Sequence, residues 1–146
     1  AVRTKTDTGI TIPLPELAMQ SIEELIRLGC SSGYLLPARK AQDRMLPHIC
    51  ENTLNVALAK VRRRLPDMEP FTIHDLRRTC RTHLAALGIA APVAERCLNH
   101  KLKGVEGTYN THDYLPERTT ALTRWADVLA ALEAGQDNVI PFRATG

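Results

Sequence analysis

Residues 71–109, FTIHDLRRTCRTHLAALGIAAPVAERCLNHKLKGVEGTY, decide how the rest of the chain is read. Thr72 stands at an N-cap position, and Asp75, three residues later, can return its hydrogen bond as a capping box. Phe71 and Leu76 fall at the two positions of a hydrophobic staple. Leu76, Cys80, Leu84 and Leu87 repeat at helical spacing and are expected to form the buried stripe, with Gly88 as the residue that stops the helix. His74 and Arg77, three apart, share a face near the helix start. Such a start offers unpaired backbone N–H groups and the positive end of the helix dipole, which together favour an anion.

Further along, Pro92 opens a short helix through Val93, Ala94, Cys97 and Leu98 and brings His100 to its end. Tyr109 follows nine residues after His100. Two histidines, an arginine and a tyrosine suit attack on a phosphodiester. HDLRRT, then LNHK, then a tyrosine nine residues on, resembles the C-terminal catalytic motif of tyrosine recombinases, in particular integrases of bacteriophages and genomic islands. The ordered set is specific, whereas a lone histidine-x-x-arginine is ordinarily a solvated face. The resemblance covers nearly the whole chain, from the Arg3–Thr6 stretch to the helix beyond Tyr109.

The resemblance implies a mainly helical fold with a small β-hairpin or sheet (α+β), the catalytic-domain fold of DNA breaking-rejoining enzymes. Residues 1–135 would be the C-terminal part of that catalytic domain and residues 136–146 a tail. Tyr109 would attack phosphorus and form a 3′-phosphotyrosine. Arg77 offers a planar fork for the non-bridging oxygens. His74 would act as base toward Tyr109 or as a second phosphate donor, and His100 would donate to another oxygen. Val2–Pro13 reads as a hairpin turning at Asp7-Thr8-Gly9. In the family a lysine in such a hairpin protonates the leaving 5′-oxygen, which assigns Lys5. No metal or nucleotide cofactor is required, because the phosphotyrosine conserves the bond energy. Tyr114 rivals Tyr109, but the nine-residue step favours Tyr109, and Tyr114 is expected to pack at the start of the next helix. Family members carry a further catalytic arginine upstream of the lysine hairpin, so the chain is expected to be an N-terminally truncated fragment, inactive alone.

Composition agrees with a DNA partner. The chain has 146 residues and a formal net charge of only +3. Residues 38–103, however, hold 13 Lys/Arg against 6 Asp/Glu, a local excess around the proposed site. Arg62, Arg64, Arg78, Arg81 and Lys101 are the expected DNA contacts. The basic run Lys60–Arg64 equally suits the negative end of its own helix. The partners implied are double-stranded attachment sites, a homotetramer on DNA, and accessory DNA-bending or directionality proteins. A non-catalytic DNA-binding module and a type IB topoisomerase are the alternatives. No apolar stretch is long enough to span a membrane, and Cys30, Cys50, Cys80 and Cys97 form no CxxC pair, as in reduced cytoplasmic proteins without zinc.

Elsewhere the spacing predicts scaffold. Residues 15–28 read as an amphipathic helix ended by Gly29. Tyr34–Leu36 read as a strand-like run closed by Pro37, with Tyr34 in core or strand. Asn52–Leu65 read as a helix with Leu54, Ala57/Leu58, Val61 and Leu65 inward. Pro116 opens a helix carrying Leu122, Trp125, Val128, Leu129 and Leu132, which Gly135 stops. The apolar tail at 138–143 is expected to dock as an extended segment and aid assembly on DNA.

Overall fold

The computed structural model describes residues 11–29, 32–38, 46–50, 52–100, 104 and 109–136. Among these the chain is mainly helical, with α1 (Glu16–Leu28), α2 (Thr53–Arg62), α3 (Ile73–Ala86), α4 (Ala91–Cys97) and α5 (Leu115–Glu133) in order. The expected hairpin falls mostly on residues 1–10, outside the described residues, and Thr11–Pro13 run without helix or strand. Lys5, Lys101 and the segment 138–143 also lie outside them. The chain divides into two compact units, Ala1–Ala18 with Arg78–Gly146, and Met19–Arg77.

The first unit is built on α4 packed against α5. Leu84, Val93, Ala94, Cys97 and Ala121 form its buried centre, with Cys80, Ile89, Tyr114, Leu122 and Trp125 packed around it. Much of this centre is small, so helices approach closely without large aromatic volume. Trp125 stacks on the His83 ring at 4.8 Å, using the aromatic surface of a side chain that matches no motif position. Burial pushes the Cys97 thiol above its ordinary range, which keeps it an inert packing group.

Three helix ends use the same closure. After α3, Gly88 takes a positive φ; its N–H donates to Ala85 and that of Ile89 to Leu84. After α5, Gly135 and Gln136 repeat the pattern onto Leu132 and Ala131. After α4 the left-handed residue is Asn99, not glycine. Each is a Schellman motif, in which the terminal carbonyls find partners that the helix itself cannot supply.

The stripe on α3 is shorter than its periodicity predicted. Leu84 is 0% exposed, but Leu76 is 52% exposed, so the staple position at Leu76 does not serve the core. On α5 the inward face is Arg118, Ala121, Ala126 and Val128, flanked by Leu122 and Trp125, whereas Leu129 and Leu132 are exposed. Periodicity finds the apolar face of a helix but not which part of it is covered.

In the Met19–Arg77 unit, α1 ends at Gly29, whose N–H donates to the Leu25 carbonyl at 2.9 Å. The run at 34–36 is not a strand. It contributes one antiparallel bridge, Pro37 with His48, framed by Ala38 N–H to Pro47 O and Ile49 N–H to Leu36 O. Pro37 has no N–H with which to continue a ladder, and Tyr34 is exposed, its ring 5.4 Å from that of His48. Helix α2 closes at Arg62, three residues short of expectation, and Arg64 and Leu65 follow in turns. Leu54, Val61 and Leu65, expected inward, are exposed.

Replacing Leu84 by Ala should lower unfolding free energy by about 2–5 kcal/mol, because it empties a fully enclosed site. Leu76→Ala on the same helix should cost less than about 1 kcal/mol. Equilibrium urea unfolding of both variants checks the contrast, and equal losses would contradict the packing described.

Candidate functional site

The start of α3 is built as its sequence requires. Thr72 N–H donates to Asp75 Oδ2 at 2.9 Å and Asp75 N–H donates to Thr72 Oγ1 at 3.2 Å, the reciprocal pair of a capping box. The Thr72 hydroxyl also donates to Asp75 Oδ2 at 2.7 Å. The box therefore occupies backbone donors that an anion would otherwise meet, and sets a carboxylate at the positive end of the helix. Of the side chains beside this start, His74 is exposed and Arg77 is half-buried. Both belong to the Met19–Arg77 unit.

In the other unit, His100 is held by α4. Its N–H donates to the Glu95 carbonyl at 2.9 Å, and Asn99 N–H donates to Arg96 O at 3.1 Å. Asn99 adopts φ 52°, a left-handed conformation that asparagine tolerates better than most residues. The turn carries the His100 ring back onto the helix, where Nδ1 lies 2.5 Å from Glu95 Oε2. Arg81, from the third turn of α3, donates from Nε to Glu95 Oε1 at 2.7 Å. Burial works to raise the Glu95 pKa, but the hydrogen bonds from Arg81 and His100 and their charges outweigh it and hold the carboxyl below its ordinary value.

Tyr109 is 81% exposed. The chain directly after it is pinned. Arg96 Nη2 donates to the Asn110 carbonyl at 2.7 Å, and Asn110 Nδ2 donates to the Tyr114 hydroxyl at 2.8 Å. Tyr114 N–H donates to His112 Nδ1 at 3.0 Å, and the two rings meet edge to face. Tyr114 is the N-cap of α5 in a left-handed conformation, φ 56°, and packs against the core. One turn on, Arg118 is 0% exposed. It donates to Asp113 Oδ1 at 2.6 Å and to the Thr11 carbonyl, fastening residues 11 and 113 to α5. A buried guanidinium needs such partners.

The structure thus brings His100 together with Glu95 and Arg81, and leaves Tyr109 projecting from an anchored segment. Of the expected DNA contacts, Arg64 and Arg78 are exposed, Arg62 is half-buried, and Arg81 is half-buried in its pair with Glu95. Glu95, Arg96, Asn110 and Arg118 escaped the sequence reading. A signal for Glu95 is present: it lies five residues before His100, the separation a Schellman turn bridges. Among the described residues no group of three or more His, Cys, Asp or Glu side chains is placed to hold a metal ion. No helix among them is long and apolar enough to cross a membrane.

Comparison with known proteins adds two findings. The phage integrase family model matches residues 1–115. The chain is similar to the prophage integrase IntA of Escherichia coli (strain K12), with 29% identity over 136 residues, 92% of this chain and 31% of that protein. The chain therefore spans about a third of that relative's length. No solved structure matches.

The lowered Glu95 pKa has a stability consequence with a definite sign. The stabilisation it contributes is present above the unfolded-state value, near 4.5, and is lost as pH falls through the lower folded-state value. Wild type should exceed Glu95→Gln in unfolding free energy at about pH 5, with the gap closing toward about pH 3. Denaturant titrations at the two pH values measure it, and a gap that widens in acid would refute the sign.

Proposed function

Because this chain belongs to the phage integrase family, we propose that it supplies the strand-cleaving chemistry of a tyrosine-type site-specific recombinase, acting on double-stranded attachment sites of a prophage or genomic island. Tyr109 Oη attacks the scissile phosphorus, the 5′-oxygen leaves, and the product is a 3′-phosphotyrosine. A 5′-hydroxyl from another strand then attacks that linkage and releases the tyrosine. Because each step exchanges one phosphoester for another, the cycle needs no nucleotide cofactor. Recombination, rather than hydrolysis, is the outcome.

Each further residue answers a charge or proton that this reaction moves. Arg77 presents two parallel N–H donors to the non-bridging oxygens. His100 donates to one of them, and His74 serves as base toward the Tyr109 hydroxyl or as another donor. A neutral phenol has to lose its proton during attack. Lys5 supplies the proton to the leaving 5′-oxygen. Removing one such donor costs about 10²–10³ in rate. Arg62, Arg64, Arg78 and Lys101 contact the phosphate backbone around the site. A homotetramer on DNA, in the cytoplasm of the host cell, completes the assembly, aided by DNA-bending or directionality proteins.

One observation carries the reading: the two candidate tyrosines are in opposite situations. Tyr114 is packed and its hydroxyl is engaged, whereas Tyr109 projects into solvent from a segment anchored by Arg96 and Asn110. A nucleophile has to reach the phosphorus of a bulky duplex, and the hydroxyl of Tyr114 does not offer that reach.

In the protein that carries these residues, Tyr109→Phe should abolish the covalent protein–DNA adduct on a suicide substrate while leaving DNA affinity within about threefold, since only a hydroxyl is lost. Tyr114→Phe should retain the adduct. An adduct that survives Tyr109→Phe and vanishes with Tyr114→Phe would reverse the assignment.

A further inference from the structure

The carboxylate of Glu95 is the strongest feature that the mechanism above does not use. It matches no motif position, yet two side-chain nitrogens converge on its two oxygens, Arg81 Nε on Oε1 at 2.7 Å and His100 Nδ1 on Oε2 at 2.5 Å. The same residue's main-chain carbonyl accepts the His100 N–H at 2.9 Å. His100 is thus tied to one residue through both its backbone and its ring. That double tie fixes the place of the residue and the rotation of the imidazole.

The tie also decides which ring nitrogen meets the carboxylate. An ionised carboxylate only accepts hydrogen bonds, so the bonded Nδ1 carries a proton. The His100 side chain is 39% exposed, enough to be reached. To donate to an anionic oxygen Nε2 needs a proton as well, so the form that serves a phosphate is the imidazolium. Glu95 then balances the charge of that form. Arg81 occupies the other oxygen and prevents the carboxylate from turning away. Outer carboxylates that orient metal-bound histidines act in the same way and are worth about 10–100-fold.

We infer that Glu95 is the positioning residue for His100, and that Arg81 serves the site by clamping Glu95 rather than by contacting DNA. The inference rests on the reading of His100 as a phosphate donor and adds to it the two residues that set its ring.

The test has a spectroscopic and a kinetic arm. In protein labelled with 15N-histidine, His100 Nδ1 should be protonated in wild type and should lose that proton in Glu95→Ala. An unprotonated Nδ1 in wild type, or an unchanged one in the variant, overturns the inference. In the protein that carries these residues together with the upstream arginine, His100→Ala should slow adduct formation on a suicide DNA substrate about 10²–10³-fold, and Glu95→Ala about 10–100-fold with DNA affinity retained. Adding Glu95→Ala to His100→Ala should cost nothing more, because a positioning residue has no effect without the group that it positions. Losses that multiply overturn the inference. If circular dichroism shows Glu95→Ala unfolded, Glu95→Gln, which keeps the volume and removes the charge, takes its place in the kinetic arm with the same expectation. Absence of any adduct in wild type would count against the recombinase reading, while the Nδ1 signal would still decide the Glu95–His100 pair.

Discussion

How α4 stops determines what its unit can present. The helix is only seven residues long and has to end at Cys97 for His100 to face Glu95. One more helical residue would swing the next side chain by about 100° around the axis. Asn99 prevents this by entering the left-handed region, which turns the chain and sends the His100 N–H back to Glu95. A β-branched residue at position 99 would resist that conformation. The backbone closure and the side-chain pair therefore reinforce each other, since the same glutamate receives both.

A second constraint acts on the segment after Tyr109. Segments on surface loops are ordinarily mobile, yet a nucleophile benefits from a defined approach. The chain after Tyr109 is held by Arg96 at Asn110, by Asn110 at Tyr114, and by the enclosed Arg118 at Asp113. Arg118 is costly to bury, and its partners offset that cost only while Asp113 and Thr11 stay in place. Core packing of α4 on α5 thus reaches the candidate site through two arginines, one at each helix.

Helix ends were the most legible part of the fold, because their signals are local. The capping box at Thr72 and Asp75 and the stops at Gly88 and Gly135 appear in the structure as their residue types required. His74, Arg77, His100 and Tyr109 form a spaced set in the sequence, and spacing says nothing of exposure or partners. Contacts between distant residues were not legible. Arg81 and Glu95 are fourteen apart, and nothing in their spacing signals that they pair. Nothing in the sequence marks Arg118 for enclosure, since charged side chains are rarely enclosed. Periodicity alone places Leu76, Leu54 and Val61 inward, whereas all three are exposed, and the strand-like run that holds Tyr34 is cut short by Pro37.

The central claim, that Tyr109 makes the covalent bond to DNA, is tested most directly by mapping the attachment site. The protein would be trapped on a nicked attachment-site duplex, digested with nuclease and protease, and the nucleotide-bearing peptide sequenced by tandem mass spectrometry. The account predicts a 3′-linked nucleotide on Tyr109. A nucleotide on Tyr114, or a linkage through the 5′-phosphate, would contradict it.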